Sequence, residues 1–268
     1  IESQKRQRRV DPMGRDQTAG KINQSPAGGA GKTVKKKKAL KAVFFDAGNT
    51  LLRPHPSVGH IYAKTAHRHG VRLTSAWVEE RFQAAWRDRH SSRHLKSDHA
   101  DKAWWRDMVH RVMGSHFSEI KFRRYFEDLY HRFAHPKHWR LFPDALPTLR
   151  ALRGKKRTIG IVSNWDSRLL VLSERIGLTK EVEFVLASAV EGVAKPDRRL
   201  FLKALKLARV AASEAVHVGD SLKEDYEGAQ RAGIRALLLD RHGPPVPKVL
   251  SIKSLKEVLS HASSAPVL

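Results

Sequence analysis

KAVFFDAGNT, residues 41–50, is a short apolar run that ends in a carboxylate, Asp46, and then turns at a glycine. Aromatic and β-branched residues bounded by turn formers read as a buried strand. The same grammar returns in TIGIVSN (158–164), FVLAS (184–188) and AVHVGDS (215–221). RALLLD (235–240) reads as a final strand.

Between these runs lie stretches of helical pattern. LFPDALPTLRALR (141–153), SRLLVLSERIGL (167–178), PDRRLFLKALKLARV (196–210) and DYEGAQRAGI (225–234) each fit a helix. Strands alternating with helices of this length specify an α/β fold: a Rossmann-like parallel sheet with crossover helices. Residues 57–138 break the alternation. They are rich in Ala, Arg, His, Trp and Glu. Spacings such as Ile61, Ala63, Ala66 and Trp77, Phe82, Ala85, Trp86 suit amphipathic helices. The expected organisation is a basic disordered tail over 1–39, a core over 40–56 and 139–245, a helical cap over 57–138 and a C-terminal helix or tail over 246–268.

In open parallel sheets, ligands bind beyond the carboxyl ends of the strands. Polar residues stand at four of those ends: Asp46, Ser163 with Asn164, Ser188 and Asp220; Lys195 follows the third strand by a short loop. A carboxylate nucleophile, a hydroxyl, an ammonium and a second acid in one crevice suit phosphoryl or acyl-type transfer. Ser188 reads as an ordinary loop serine.

These residues also carry a resemblance. FFDAGNTLL (44–52), GIVSN (160–164), AKPDRRLF (194–201) and VHVGDSLKEDYEGAQRAG (216–233) resemble the four motifs of the haloacid dehalogenase (HAD)-like hydrolase superfamily, in the family's order. LLRPHPSVGHIYAKTAHRHGV (51–71), Trp104-Trp105 and YHRFAHPKHW (130–139) are similar to the haloacid dehalogenase-like hydrolase domain-containing protein 3 subfamily. The resemblance implies a C1-type helical cap and a small phosphorylated substrate. It implies Asp46 as the nucleophile that forms an aspartyl intermediate, and Lys195 as the group that neutralises charge around it. It implies Ser163 and Asn164 as contacts to the transferring oxygens. Asp46, the Gly48 backbone carbonyl and Asp220 would hold Mg²⁺, with Asp225, or secondarily Glu224, supporting it directly or through water.

The sequence departs from the family at one position. Phosphatases of this family carry a second Asp two residues after the nucleophile, to protonate the leaving alcohol and then to activate water; here that residue is Gly48. Loss of general acid–base catalysis is worth about 10²–10⁴-fold in rate. Three readings follow: a phosphatase that is slow or needs good leaving groups; a metal-independent 2-haloacid dehalogenase, with Arg53 as a candidate for the substrate carboxylate; and a non-catalytic binding protein. His55 or a cap histidine is a possible replacement acid.

Composition sets the outer bounds. Cysteine is absent, which excludes disulfides, thiol nucleophiles and cysteine metal sites. The sequence holds no apolar run of membrane-spanning length. A cytoplasmic, membrane-free protein is the expectation. Net charge is +24, from 51 Lys+Arg against 27 Asp+Glu. Residues 1–41 contain twelve of the basic and three of the acidic residues. A body this basic attracts anions, but a general basic bias with solvated surface charge is the plainer account of it. The VKKKK run (34–38) reads as a solubilising tail rather than a nucleic-acid contact. PAGGAGKT (26–33) fails as a phosphate loop because Pro26 stands where the first glycine is required. His131, His135 and His138 include a helical i,i+4 pair, but no carboxylate completes a metal site. The cap tryptophans read as packing, and Trp165, beside the second motif, is the tryptophan best placed to touch substrate.

Overall fold

The computed structural model describes residues 39–88, 97–244 and 246–262. The basic tail up to residue 38, the rejected phosphate loop at 26–33 and the end of the C-terminal segment lie outside the described residues.

In chain order the elements are β1 (Ala42–Phe45), β2 (Leu52–Pro54), α1 (Val58–Arg68), α2 (Ser75–Arg87), α3 (Asp98–Met113), α4 (Glu119–Arg132), β3 (Trp139–Leu141), α5 (Ala145–Gly154), β4 (Thr158–Ser163) and α6 (Arg168–Arg175). There follow β5 (Phe184–Ala187), α7 (Ser188–Glu191), α8 (Arg198–Ala208), β6 (Ala215–Gly219), a π-helical turn (Leu222–Glu227) that runs into α9 (Gly228–Arg231), β7 (Arg235–Leu239), β8 (Ser251–Ile252) and α10 (Val258–Ala262). Six strands form one sheet in the order β5-β4-β1-β6-β7-β8, and every pairing in it is parallel. The chain is an α/β Rossmann-like protein.

The sheet is covered on both faces, so its strands are apolar almost throughout. Alternation along β1 divides its side chains between two cores. Val43 and Phe45 face Leu149, Leu152 and Leu169, from α5 and α6. Ala42 and Phe44 face Leu200, Phe201 and Ala204 of α8. RALLLD is not the last strand: β8 pairs with β7, and Ile252, Leu255 and Val258 pack into the first core, beyond the expected boundary at 245.

Helices α1–α4 build a separate core around Ile61, Tyr62, Phe82, Val109, Tyr125 and Leu129. Ser57, Thr74 and Ser97 cap the starts of α1, α2 and α3, each accepting a backbone N–H from three residues on. The chain enters and leaves this insert through a two-stranded antiparallel ribbon, in which Leu52 faces Leu141 and Pro54 faces Trp139. Strands of three residues are too short for their alternation to register in a sequence. None of the described helices is long and apolar enough to cross a membrane.

One buried polar knot ties the insert to the core. The Tyr130 hydroxyl donates to Asp166 at 2.9 Å, and Arg168 pairs with Asp166 at 2.5 Å while its Nη1 donates to the Tyr130 carbonyl. The Arg168 guanidinium lies 3.5 Å from the Tyr130 ring centroid. Burial alone would raise the Asp166 carboxyl; hydrogen bonding with Arg168, Asp101 and Tyr130 outweighs it and holds the group down at about 2. A depressed acid stabilises the fold above its unfolded value, near 4, and that contribution disappears as pH falls through the folded value. Urea denaturation of wild type and Asp166→Asn is therefore expected to differ by on the order of 2 kcal/mol at pH 6. The gap should close between pH 4 and pH 2. A gap independent of pH would show that the knot does not act through this charge.

Candidate active site

The sheet order makes β1 a switch point. The chain passes from β1 to β4 on one side and later to β6 on the other. A crevice opens at the carboxyl end of such a strand, and Asp46 is the residue that follows β1. Its backbone N–H donates to Val218 at 2.9 Å, which fixes it level with the end of β6.

Four of the expected side chains meet there by direct contact. Ser163, the last residue of β4, donates to Asp46 Oδ1 at 2.9 Å. Lys195 Nζ lies 2.7 Å from Asp46 Oδ1 and 2.5 Å from Asp225 Oδ1. Lys195 is buried, at 3% exposure, and supports the floor from beneath rather than lining the cavity. Asp220 opens onto the cavity, and one carboxylate oxygen each from Asp46, Asp220 and Asp225 lie within 4.8 Å of one another. Among the described residues this is the single group of three potential metal-ligating side chains; His131, His135 and His138 do not form one. Gly48 lines the same space.

Asn164 lines the cavity beside Ser163 and also reaches the lysine loop. Its Oδ1 accepts the Lys195 N–H at 2.7 Å, and its Nδ2 donates to the Lys195 carbonyl at 2.9 Å and to Glu224 at 3.1 Å. The amide grips the lysine loop from both sides and ties it to Glu224, which positions Lys195.

Local backbone chemistry aims the acids. Ser221 caps the π-turn by accepting Glu224 N–H, and its own N–H donates to Asp225 Oδ2 at 3.1 Å. Such wide turns recur at functional sites because they re-aim side chains. Gly219 leaves room for the result: a Cβ there would lie 2.1 Å from Asp225 Cγ.

His217 escaped the sequence reading. It is fully buried within β6, its Nε2 lies 2.8 Å from Asp225 Oδ1, and its ring meets Phe201 edge-on at 5.0 Å. The available signal was an imidazole inside an otherwise apolar strand, which demands a polar partner. Burial lowers its pKa, so the neutral ring donates to Asp225.

The electrostatics are those of an acid cluster with too little counter-charge. Burial would lower Lys195, but Asp225 and Asp46 reverse this and hold it protonated. Burial would raise Asp225, but Lys195 and His217 pull it well below the usual carboxylate range. Burial, with Asp225 adding, pushes Asp46 up against the pull of Lys195. Asp220, although exposed to the cavity, sits deep enough in the crevice that desolvation, then Asp46 and Asp225, push it upward. Three carboxylates share one ammonium, and a divalent cation is the species that would relieve them. Removing the ammonium alone makes the imbalance worse. Lys195→Met is expected to destabilise the fold by about 3–5 kcal/mol, as removal of one partner from a buried ion pair does. Denaturant titration checks this; a change below 1 kcal/mol would show that the carboxylates do not depend on Lys195.

The cavity above this floor measures about 400 Å³. Its walls come from the helical insert and the β2–β3 ribbon: Tyr62, Phe82, Leu129, Phe133, Trp139 and, from the core, Trp165. Arg53 also lines it, against the Phe142 ring at 5.5 Å. His55 is not among the lining residues.

Comparison with known proteins adds an independent line. A family model for haloacid dehalogenase-like hydrolases matches residues 40–233. The Bos taurus haloacid dehalogenase-like hydrolase domain-containing protein 3 is 32% identical over 220 residues, covering 78% of this chain and 86% of that protein. The Danio rerio protein of the same name is 33% identical over 208 residues, covering 75% and 86%. Among solved structures, a HAD phosphatase from Thermococcus onnurineus superposes with a TM-score of 0.61 at 24% identity, over 84% of this chain and 98% of that one. A 2-haloacid dehalogenase from Pseudomonas syringae gives 0.55 at 26% identity, over 82% and 97%.

Proposed function

The chain belongs to the haloacid dehalogenase-like hydrolase family, and from that premise we propose that it is a Mg²⁺-dependent phosphatase acting on a small phosphorylated molecule. The observation that carries this reading is the acid floor: Asp46, Asp220 and Asp225 converge within 4.8 Å, with Lys195 bridging two of them. A phosphate dianion repels a carboxylate nucleophile, and the two approach only where cations screen both.

In this reading Asp46 attacks phosphorus, the bond from phosphorus to the leaving oxygen breaks, and the electron pair departs with that oxygen. Water then attacks the aspartyl phosphate, releasing orthophosphate and restoring the Asp46 carboxylate. Ser163 orients Asp46 and contacts a transferring oxygen. Lys195 keeps positive charge beside Asp46, and Asn164 holds Lys195 in place. Asp46, Asp220 and the Gly48 carbonyl would hold Mg²⁺, with Asp225 supporting it directly or through water, and the bound ion would neutralise the phosphate. The insert, α1–α4, serves as a cap that excludes water and selects the substrate.

A second reading, 2-haloacid dehalogenation, is favoured by one observation: Gly48 offers no proton, and halide needs none. The acid floor argues against its metal-independent form, because with no divalent cation bound a haloacid would bring its negative charge to three carboxylates that share one ammonium. The test is a pair of assays. Phosphate release from an ester panel is expected with Mg²⁺ and lost in EDTA, with no halide release from 2-chloropropionate in EDTA. Halide release without metal, and no phosphate release with it, would reverse the assignment.

A further inference from the structure

Three partly buried rings stand beside the position where the family's proton donor is missing. A Cβ built on Gly48 would lie 3.5 Å from the six-membered ring of Trp165. The Trp165 ring packs on Trp139 with centroids 4.9 Å apart, and Trp139 packs on Phe133 at 5.9 Å. All three rings and Gly48 line the cavity above Asp46.

The rings are held rather than loose. Trp165 is tied at its backbone to α7, where its N–H donates to Ser188 Oγ at 3.1 Å and its carbonyl accepts the Ala189 N–H at 3.0 Å. The Trp139 indole N–H donates to the Phe133 carbonyl at 2.9 Å. Several polar groups in the upper wall are already engaged, Glu79 with the Gly59 N–H and Gln83, Arg168 and Tyr130 with Asp166, and Ser57 with the His60 N–H, while Arg53 lies against the Phe142 ring. A polyhydroxylated leaving group would find these partners occupied, whereas a flat apolar ring would find the aromatic surface it needs.

We propose that this site selects phosphate monoesters of aromatic hydroxyls, with the leaving ring stacked against Trp165. The inference rests on the phosphatase reading and deepens it, because the same wall accounts for Gly48. A phenolic hydroxyl ionises near pH 10, as tyrosine does, whereas an alkyl alcohol, like water, is a far weaker acid. An aryl oxide therefore departs with the electron pair of the broken bond and without an acid to protonate it. The water that later cleaves the aspartyl phosphate supplies hydroxyl to orthophosphate and a proton to the aryl oxide, so one ester and one water give one phenol and one hydrogen phosphate.

Two non-hydrolysable probes, phenylphosphonate and methylphosphonate, test the selection by quenching of intrinsic tryptophan fluorescence in the Mg²⁺-loaded protein, with calorimetry as a check. Wild type is expected to bind phenylphosphonate roughly 3–10-fold more tightly, the size of one aromatic contact. That ratio should collapse toward one in Trp165→Leu. Phe133→Leu, at the far end of the ring cluster, should lower it too, and keeps the test readable if the first variant fails to fold. Equal binding of the two probes by wild type, or a ratio unchanged in both variants, overturns the proposal. Turnover separates the two claims. Phenyl phosphate is expected to exceed ethyl phosphate at least 100-fold in kcat/KM; equal turnover of the two defeats the aryl selection alone. Failure to hydrolyse any ester defeats the phosphatase reading and leaves the ratio of the phosphonates to decide the ring pocket.

Discussion

Asp46→Asn is expected to lower phosphate-ester turnover by about 10⁴-fold or more while leaving the protein folded. The amide is nearly the same size as the carboxylate, but it cannot carry a phosphoryl group through an acyl-phosphate intermediate. The fold should tolerate the change because Lys195 keeps its contact with Asp225 and Asp225 keeps His217. One buried carboxylate near two others is also removed, which lessens their mutual repulsion. Circular dichroism and denaturant midpoints should therefore stay close to wild type while kcat collapses. Acid-quenched wild type, mixed briefly with substrate, should carry phosphate on the peptide that contains Asp46, and the variant should not. A folded variant that retains a tenth of wild-type activity would remove Asp46 from the chemistry.

The parts of this site that were legible in the sequence share a physical cause. A parallel strand buried on both faces must be nearly all apolar, so a polar residue at its carboxyl end stands out. Asp46, Ser163 and Asp220 are all of that kind, and the structure places them around one crevice. Lys195 stands out less sharply: its short distance in sequence from the third strand's end places it near the crevice, and the resemblance supplies its role. What stayed hidden depends on pairs far apart in the chain. The grip of Asn164 on the Lys195 backbone spans 31 residues. The knot of Tyr130 and Asp166 spans 36, and it joins two elements that the sequence describes only separately. The π-turn at 222–227 is invisible because a helix with one extra residue per turn has the same composition as any other. His217 was overlooked because the strand was read for its apolar residues and not for the exception.

Gly48→Asp is expected to raise kcat/KM for ethyl phosphate by about 10²–10⁴-fold, the usual worth of a general acid. The position accepts the substitution. The nearest atom to a Cβ there is the Trp165 ring at 3.5 Å, an ordinary contact, and Gly48 does not occupy the left-handed region that would penalise a side chain. The new carboxylate would stand beside Asp46, where the leaving oxygen emerges, so it would donate a proton at the atom that needs one. The gain must depend on the leaving group. Esters of weakly acidic alcohols should gain most, and phenyl phosphate, whose aryl oxide departs unaided, should gain less than tenfold. A plot of log kcat/KM against leaving-group pKa should therefore be steep for wild type and shallow for the variant. The fourth carboxylate adds to an acid floor already short of counter-charge. The variant should accordingly be less stable than wild type in EDTA and recover most of the difference in millimolar Mg²⁺, measured as Tm. A folded, Mg²⁺-stabilised variant with no gain on any alkyl ester would mean that proton donation at position 48 is not what limits this enzyme.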